Sequence, residues 1–205
     1  MPTLMPTEPI KIPVVILAAG LSGRMGVSKP FLKWDHETSF IEKIIGEYRN
    51  MGSEKIAVVV STQVKERIDE ELPHLCDEVQ FIINPEPEKG KFLSLRMGLK
   101  ELGNPDYCFI QNIDNPFIDC TLLSGMGRLI EPDACVVPLY CGKTGHPMLA
   151  GKLFLDYIQT LDLKDHDLRL LMKPFRMIFC ETENSRVLIN INSREDYQSA
   201  VGNLE

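Results

Sequence analysis

Apolar, β-rich runs recur along the chain at 12–18, 55–61, 78–84, 107–113 and 134–140, and each is separated from the next by a stretch with helical spacing. This rhythm constrains the fold more than any other feature. It is the pattern of β-α-β units, in which crossover helices cover a mostly parallel sheet. Between the first two runs, apolar residues at 40, 41, 44, 45, 48 and 51 follow one helix face, and Thr38 or Ser39 suits the N-cap. Segments 63–72, 91–102 and 119–130 read as further helices. After 150 come two short helices (151–161, 167–173), two strands (175–181, 186–191) and a terminal helix over 193–201.

No Gly/Ser-rich or charged linker, repeat or low-complexity tract interrupts this order. The expectation is one α/β domain over 12–205, a mostly parallel, Rossmann-like three-layer sandwich, behind a disordered lead-in at 1–11. With 205 residues and 44% hydrophobic content, one core can be filled. The net charge of -7, from 22 basic against 29 acidic residues, argues against a nucleic-acid partner. Six cysteines form no CxxC pair, and several fall in the apolar runs, which suits reduced thiols and a cytoplasmic location. No apolar run approaches the roughly 18–20 residues of a membrane span.

The first apolar run feeds Leu17-Ala18-Ala19-Gly20-Leu21-Ser22-Gly23-Arg24-Met25-Gly26-Val27-Ser28-Lys29. Glycines let a backbone approach a ligand closely, exposed amides make an anion nest, and Arg24 and Lys29 add full charges. Such a loop is suited to a triphosphate. The glycines at 20, 23 and 26 do not have dinucleotide-binding spacing, because Ser22 stands where the second glycine belongs. Gly142-Lys143-Thr144 fails as a Walker loop, because Val137 stands where its leading glycine belongs.

The motif LAAGxSxRxGxxK resembles the signature of the MobA-like nucleotidyltransferases, the family of molybdenum-cofactor cytidylyl- and guanylyltransferases. Leu17, Ala18, Ala19, Gly20, Ser22, Arg24, Gly26 and Lys29 all match it. The resemblance implies the nucleotide-diphospho-sugar transferase type of sandwich. It also implies that amides near Gly20 and Ser22, with Arg24, hold the β and γ phosphates, while Lys29 neutralises charge on the α-phosphate. Asn84-Pro85, Gly90 and the run from Ser94 to Leu99 are similar to the family's base-reading NP…G…SLxxGL stretch, with Leu93 in place of a second serine. Ser94 would bond the base or cap the helix. Asp114 matches the family's metal aspartate, for Mg²⁺, and alternatively suits an Asx-turn ahead of Pro116. Gly145-His146-Pro147 resembles a motif on the acceptor side.

Two segments depart from the family. Asp165 and Arg169 fit its GDxGxR stretch, but Lys164 and Asp167 replace both glycines. At 190–197, Asn190 and Asn192 stand where relatives usually have aspartates, so Asn190 would complete the metal site as a neutral ligand. The resemblance implies Mg²⁺-dependent transfer of a nucleotidyl group to a small phosphorylated acceptor, with loss of pyrophosphate. Ala19, where guanylyl relatives have glycine, points to CTP, and the acceptor implied is molybdopterin or its metal-loaded form. The alternatives are a sugar phosphate or methylerythritol phosphate as acceptor, or a nucleotide-binding regulatory protein without turnover.

Overall fold

The computed structural model describes residues 11–20, 28–164 and 166–201. All but the last residue of the expected lead-in lies outside that range. Strands β1 (Val14–Leu17), β2 (Ile56–Val60), β3 (Gln80–Ile83) and β4 (Tyr107–Asn112) pair in parallel in the order β3-β2-β1-β4. The same sheet continues through β5 (Ala134–Tyr140), β6 (Lys143–Thr144), β7 (Met148–Gly151) and β8 (Arg176–Glu181). Here β7 lies antiparallel between β4 and β5, β6 is antiparallel to β5, and β8 runs parallel to β5.

Helices α1 (Phe40–Met51), α2 (Thr62–Glu71), α3 (Lys91–Glu101), α4 (Cys120–Leu129), α5 (Lys152–Thr160), α6 (Leu168–Met172) and α7 (Arg194–Val201) complete the fold. Two buried clusters, one on each face of the sheet, make it a three-layer sandwich. Alternate residues of β1 divide between them. Val14 and Ile16 join Ile44, Ile45 and Tyr48 of α1 with Leu123 and Met126 of α4. Val15 and Leu17 join Phe92, Leu95 and Leu99 of α3 with Phe154 and Ile158 of α5.

Local sequence sets the helix boundaries. Ser39 caps α1 in a reciprocal box, its hydroxyl accepting from Glu42 N while the Glu42 carboxylate accepts from Ser39 N. Gly52, at φ 107°, ends that helix in the left-handed region. Ser61 and Asp119 cap α2 and α4. Of the cysteines, Cys108, Cys135 and Cys180 are buried and all six are free. Burial pushes the Cys108 and Cys135 thiols up to about 12.

Two parts of the distal half differ from the sequence-based expectation. Strands β6 and β7 lie outside it, because Gly142, Gly145 and Pro147 break the apolar run and read as loop. The strand expected over 186–191 is instead a 3₁₀ turn (Ser185–Leu188) followed by extended backbone that is not paired into the sheet. Side chains hold this segment: Arg186 N donates to Asn184 Oδ1, and Asn115 Nδ2 donates to the carbonyls of Val187 and Ile189. No helix among the described residues is long and apolar enough to cross a membrane.

The strand order places β1 at the switch point of the sheet. The chain passes from β1 to β2 and β3 on one side, then returns across β1 to β4. A crevice opens at the carboxyl ends of strands where such a reversal occurs. The return helix α3 packs very closely on β1, since a Cβ at Gly98 would lie 2.5 Å from Val15 Cγ1. Val15 is fully buried and stiff at χ1. Gly98→Ala is therefore expected to destabilise the protein by about 1–3 kcal/mol through overpacking, read as a lower denaturation midpoint in urea with an unchanged m-value.

Candidate active site

The crevice holds two adjoining cavities. The first, of about 170 Å³, is lined by Leu17, Ala19 and Gly20 after β1, by Pro87, Gly90, Lys91 and Ser94 at the start of α3, and by Lys29, Asn112, Ile113 and Asp114. The second, of about 250 Å³, has Lys91, Asn112 and Asp114 in common with the first and adds His146, Met148, Asp167, Arg169, Met172 and Asn190. The loop after β4 thus forms a wall common to both.

Asp114 is the focus of this wall. Its Oδ2 lies 3.7 Å from Lys29 Nζ, which donates to Asn192 Oδ1 at 3.0 Å. The segment carrying Asn190 is tied to the aspartate by its backbone, Ile191 N donating to Asp114 O at 2.8 Å. Asn192 and Ser193 donate their N–H groups to Asp196, whose own N–H returns to Ser193 Oγ. These backbone donors hold the Asp196 carboxyl below the usual range.

A buried polar chain positions the common wall. The Tyr48 hydroxyl donates to Gln111 Oε1 at 3.1 Å, and Gln111 Nε2 donates to the carbonyls of Asn112 and Asn115. Asn115 Nδ2 then reaches Val187 O and Ile189 O. Burial raises the Tyr48 phenol well above its ordinary value, so it remains a donor. Asp114 Oδ1 accepts no hydrogen bond among the described residues, and Oδ2 faces Lys29.

Asp114 Oδ1, Asn115 Oδ1 and Asn190 Oδ1 are buried oxygens without a hydrogen-bond partner among the described residues. Unpartnered buried oxygens are costly, and an oxygen-seeking cation such as Mg²⁺ satisfies them. Asp114 and Asn190 line the same cavity and fit such an ion. No group of three His, Cys, Asp or Glu side chains gathers anywhere among the described residues, so the donor set holds a single carboxylate beside amides.

His146 stands against the second cavity. Gly145 precedes it because a Cβ there would lie 2.6 Å from Val187 O, and His146 N donates to that same carbonyl at 2.9 Å. Burial depresses the imidazole below its ordinary range, Lys91 and Arg169 add to the depression, and Asp114 opposes it.

A family model for the MobA-like NTP transferase domain matches residues 14–182. The chain belongs to the MobA-like NTP transferase family. The molybdenum cofactor cytidylyltransferase of Escherichia coli is 26% identical over 192 residues, covering 92% of this chain and 95% of that one. A probable molybdenum cofactor guanylyltransferase of Clostridium perfringens is 30% identical over 132 residues, covering 64% of this chain and 61% of that one. A solved nucleotidyl transferase from Methanothermobacter superposes with a TM-score of 0.77 at 22% identity, over 94% of this chain and 97% of that one. As a MobA-like protein the chain is a nucleotidyltransferase, an enzyme of the EC 2.7.7 type.

The structure brings together Leu17, Ala19, Gly20, Lys29, Gly90, Ser94 and Asp114 around one cavity, and His146 and Asn190 around its neighbour. Ala18 is buried in the core on the opposite face. Asn84 is fully buried behind Ser94. Gly90 rather than Ser94 occupies the cap position of α3, so Ser94 does not cap the helix. Ser22, Arg24 and Asp165 lie outside the described residues. Sequence reasoning missed Lys91 and Asn112 in the common wall and Gln111 and Asn115 behind it; two amides ending an apolar strand were the available signal.

The depressed imidazole has a measurable consequence. A histidine whose folded pKa is lowered contributes stability that is complete above its unfolded pKa, near 6.5, and is lost as pH falls through the folded value. His146→Gln is expected to flatten the fall in thermal midpoint between pH 7 and pH 5, as differential scanning calorimetry at several pH values would show.

Proposed function

We propose that the enzyme transfers a cytidylyl group from CTP to a phosphate oxygen of molybdopterin or its metal-loaded form, releasing pyrophosphate. The observation that supports this reading most is the common wall: a cavity lined by Leu17, Ala19, Gly20 and Lys29 meets a second cavity across Asp114, Asn112 and Lys91. Donor and acceptor bound on either side would react at that wall. The 26% identity to a cytidylyltransferase over most of both chains supports the choice of nucleotide and acceptor. So does Ala19, whose methyl group lines the first cavity.

In this reading the Gly20 backbone and Ser22, with Arg24, hold the β and γ phosphates, and Leu17 and Ala19 shape the floor beneath the nucleotide, with Ala18 in the core behind them. Gly90 and Ser94 face the base side, and Asn84 supports Ser94 from behind. Lys29 neutralises charge developing on the α-phosphate. The acceptor phosphate is already ionised at neutral pH, so the enzyme's task is to align it rather than to deprotonate it. His146, held neutral, adds no repulsion against a cationic clamp of Lys91 and Arg169. Asp114 and Asn190 would hold Mg²⁺, which supplies charge neutralisation between the phosphates when bound.

Three measurements test this. Pyrophosphate release measured with molybdopterin and each of CTP, GTP, ATP and UTP is expected to be fastest with CTP, and a clear preference for GTP overturns the assignment. Asp114→Ala is expected to lower kcat by about a hundredfold or more. Asn190→Asp, which adds a second carboxylate, is expected to tighten Mn²⁺ binding about tenfold in an electron paramagnetic resonance titration.

A further inference from the structure

Strand β8 lies beyond β5 with no described strand on its other side. Main-chain groups alternate in direction along a strand, and Thr182 N donates to Leu139 O at 3.0 Å, so Thr182, Cys180, Ile178 and Arg176 bond toward β5. The N–H and C=O groups of Met177, Phe179 and Glu181 therefore face outward. An open edge is a template for another strand, and native chains usually blunt it with proline, a bulge or a central charge. The six residues Arg176–Glu181 use none of these devices: their charges stand at the two ends, and Met177, Ile178, Phe179 and Cys180 lie between.

Phe179 is 48% exposed, although it sits in mid-strand and in register with Val137, a buried residue of the second cavity. The sequence also gives this edge a polarity. Lys173 and Arg176 mark its start, Glu181 and Glu183 its end. Two copies of β8 laid parallel would set like charges together, whereas antiparallel copies bring each basic end to the partner's acidic end. Arg176 remains available for this, since its ion pairs with Glu131 and Asp133 leave its side chain half-exposed. The opposite edge of the sheet lacks the property. Residues 77–86 around β3 carry three carboxylates and no lysine, arginine or histidine, so antiparallel self-pairing there opposes acid to acid.

We propose that β8 is a homodimerisation edge, at which a second copy of this chain pairs antiparallel about a two-fold axis and continues the sheet from one molecule into the other. Such an axis sets one residue of the strand opposite its own copy. With Ile178 on the axis, the outward main-chain groups of Met177 bond to those of the partner's Phe179, and the reverse. Met177 and Phe179 share a face of the strand, so the exposed Phe179 ring packs on the partner's Met177. Placing Phe179 on the axis instead would set Met177 against the partner's Glu181. The register centred on Ile178 matches apolar to apolar and charge to opposite charge. The interface is isologous, so it closes at two copies and leaves no β8 edge open for a third.

The test is the mass of the full chain in solution, by light scattering during size-exclusion chromatography from about 1 to about 100 µM. The wild type is expected to be dimeric at the upper end of this range. Phe179→Lys, at an exposed position, is expected to raise the dissociation constant about a hundredfold and to leave the circular dichroism spectrum unchanged. Lys173→Glu is expected to weaken the dimer about fivefold, and the double variant with Glu183→Lys to regain the wild-type constant, because the exchanged charges still meet across the axis. A non-hydrogen-bonded antiparallel pair holds its Cα atoms about 4.5 Å apart, within disulfide reach. Mild oxidation of Ile178→Cys is therefore expected to link two chains through position 178, as mass spectrometry of the linked peptide would show. A wild type that is monomeric throughout, a dimer that Phe179→Lys leaves intact, a folded Ile178→Cys protein without that link, or a mass that climbs past the dimer would overturn the proposal.

Discussion

The buried chain from Tyr48 through Gln111 and Asn115 to the carbonyls of Val187 and Ile189 is the interaction on which the rest of the site depends. It starts on a helix covering one face of the sheet, passes through the end of β4, and takes hold of a distal segment that has no strand partner of its own. It acts beside the Ile191–Asp114 backbone bond, the Asn184 Nδ2 bond to Phe117 O and the Arg186 guanidinium over the Phe117 ring, which also tie that segment to the loop after β4. Buried polar groups satisfied in this way specify one arrangement, because each alternative leaves a donor or acceptor unpaired in a low-dielectric interior. Here that arrangement brings together residues more than seventy positions apart.

The strand order explains why Asp114, Lys29 and the start of α3 meet at all. The reversal between β1 and β4 opens the crevice, and α3 fits tightly enough on β1 that its register against the strand is set by glycine and valine rather than by loops. The first turn of α3 therefore presents Lys91 and Ser94 to the cavity from a rigid element. Sites built on such elements hold their geometry better than sites carried on loops.

Much of this was legible in the sequence. The apolar runs gave the parallel half of the sheet, and of the motif after the first run Leu17, Ala19, Gly20 and Lys29 line the first cavity. The N-cap of α1 was narrowed to Thr38 or Ser39, and Ser39 takes it. The parts that stayed hidden have physical causes. Strand β7 is only four residues long and lies behind a proline, so its pattern is too short to stand out. The segment at 185–191 is rich in β-branched and aliphatic residues, yet it is held by side-chain amides, and propensity says nothing about such remote partners.

The antiparallel β7 between β4 and β5 has a consequence for how such an enzyme can change. Every residue lining the first cavity comes from the first part of the chain, through β4 and the loop after it, whereas Gly145, His146, Met148, Arg169 and Met172 of the second come from the distal half. The inserted strand joins the two halves through an edge-to-edge ladder of main-chain bonds, which is indifferent to side-chain identity on the outer cavity wall. Residues of the distal half can then be exchanged to reshape the second cavity while the ladder, and with it the half that forms the first cavity, stays in register.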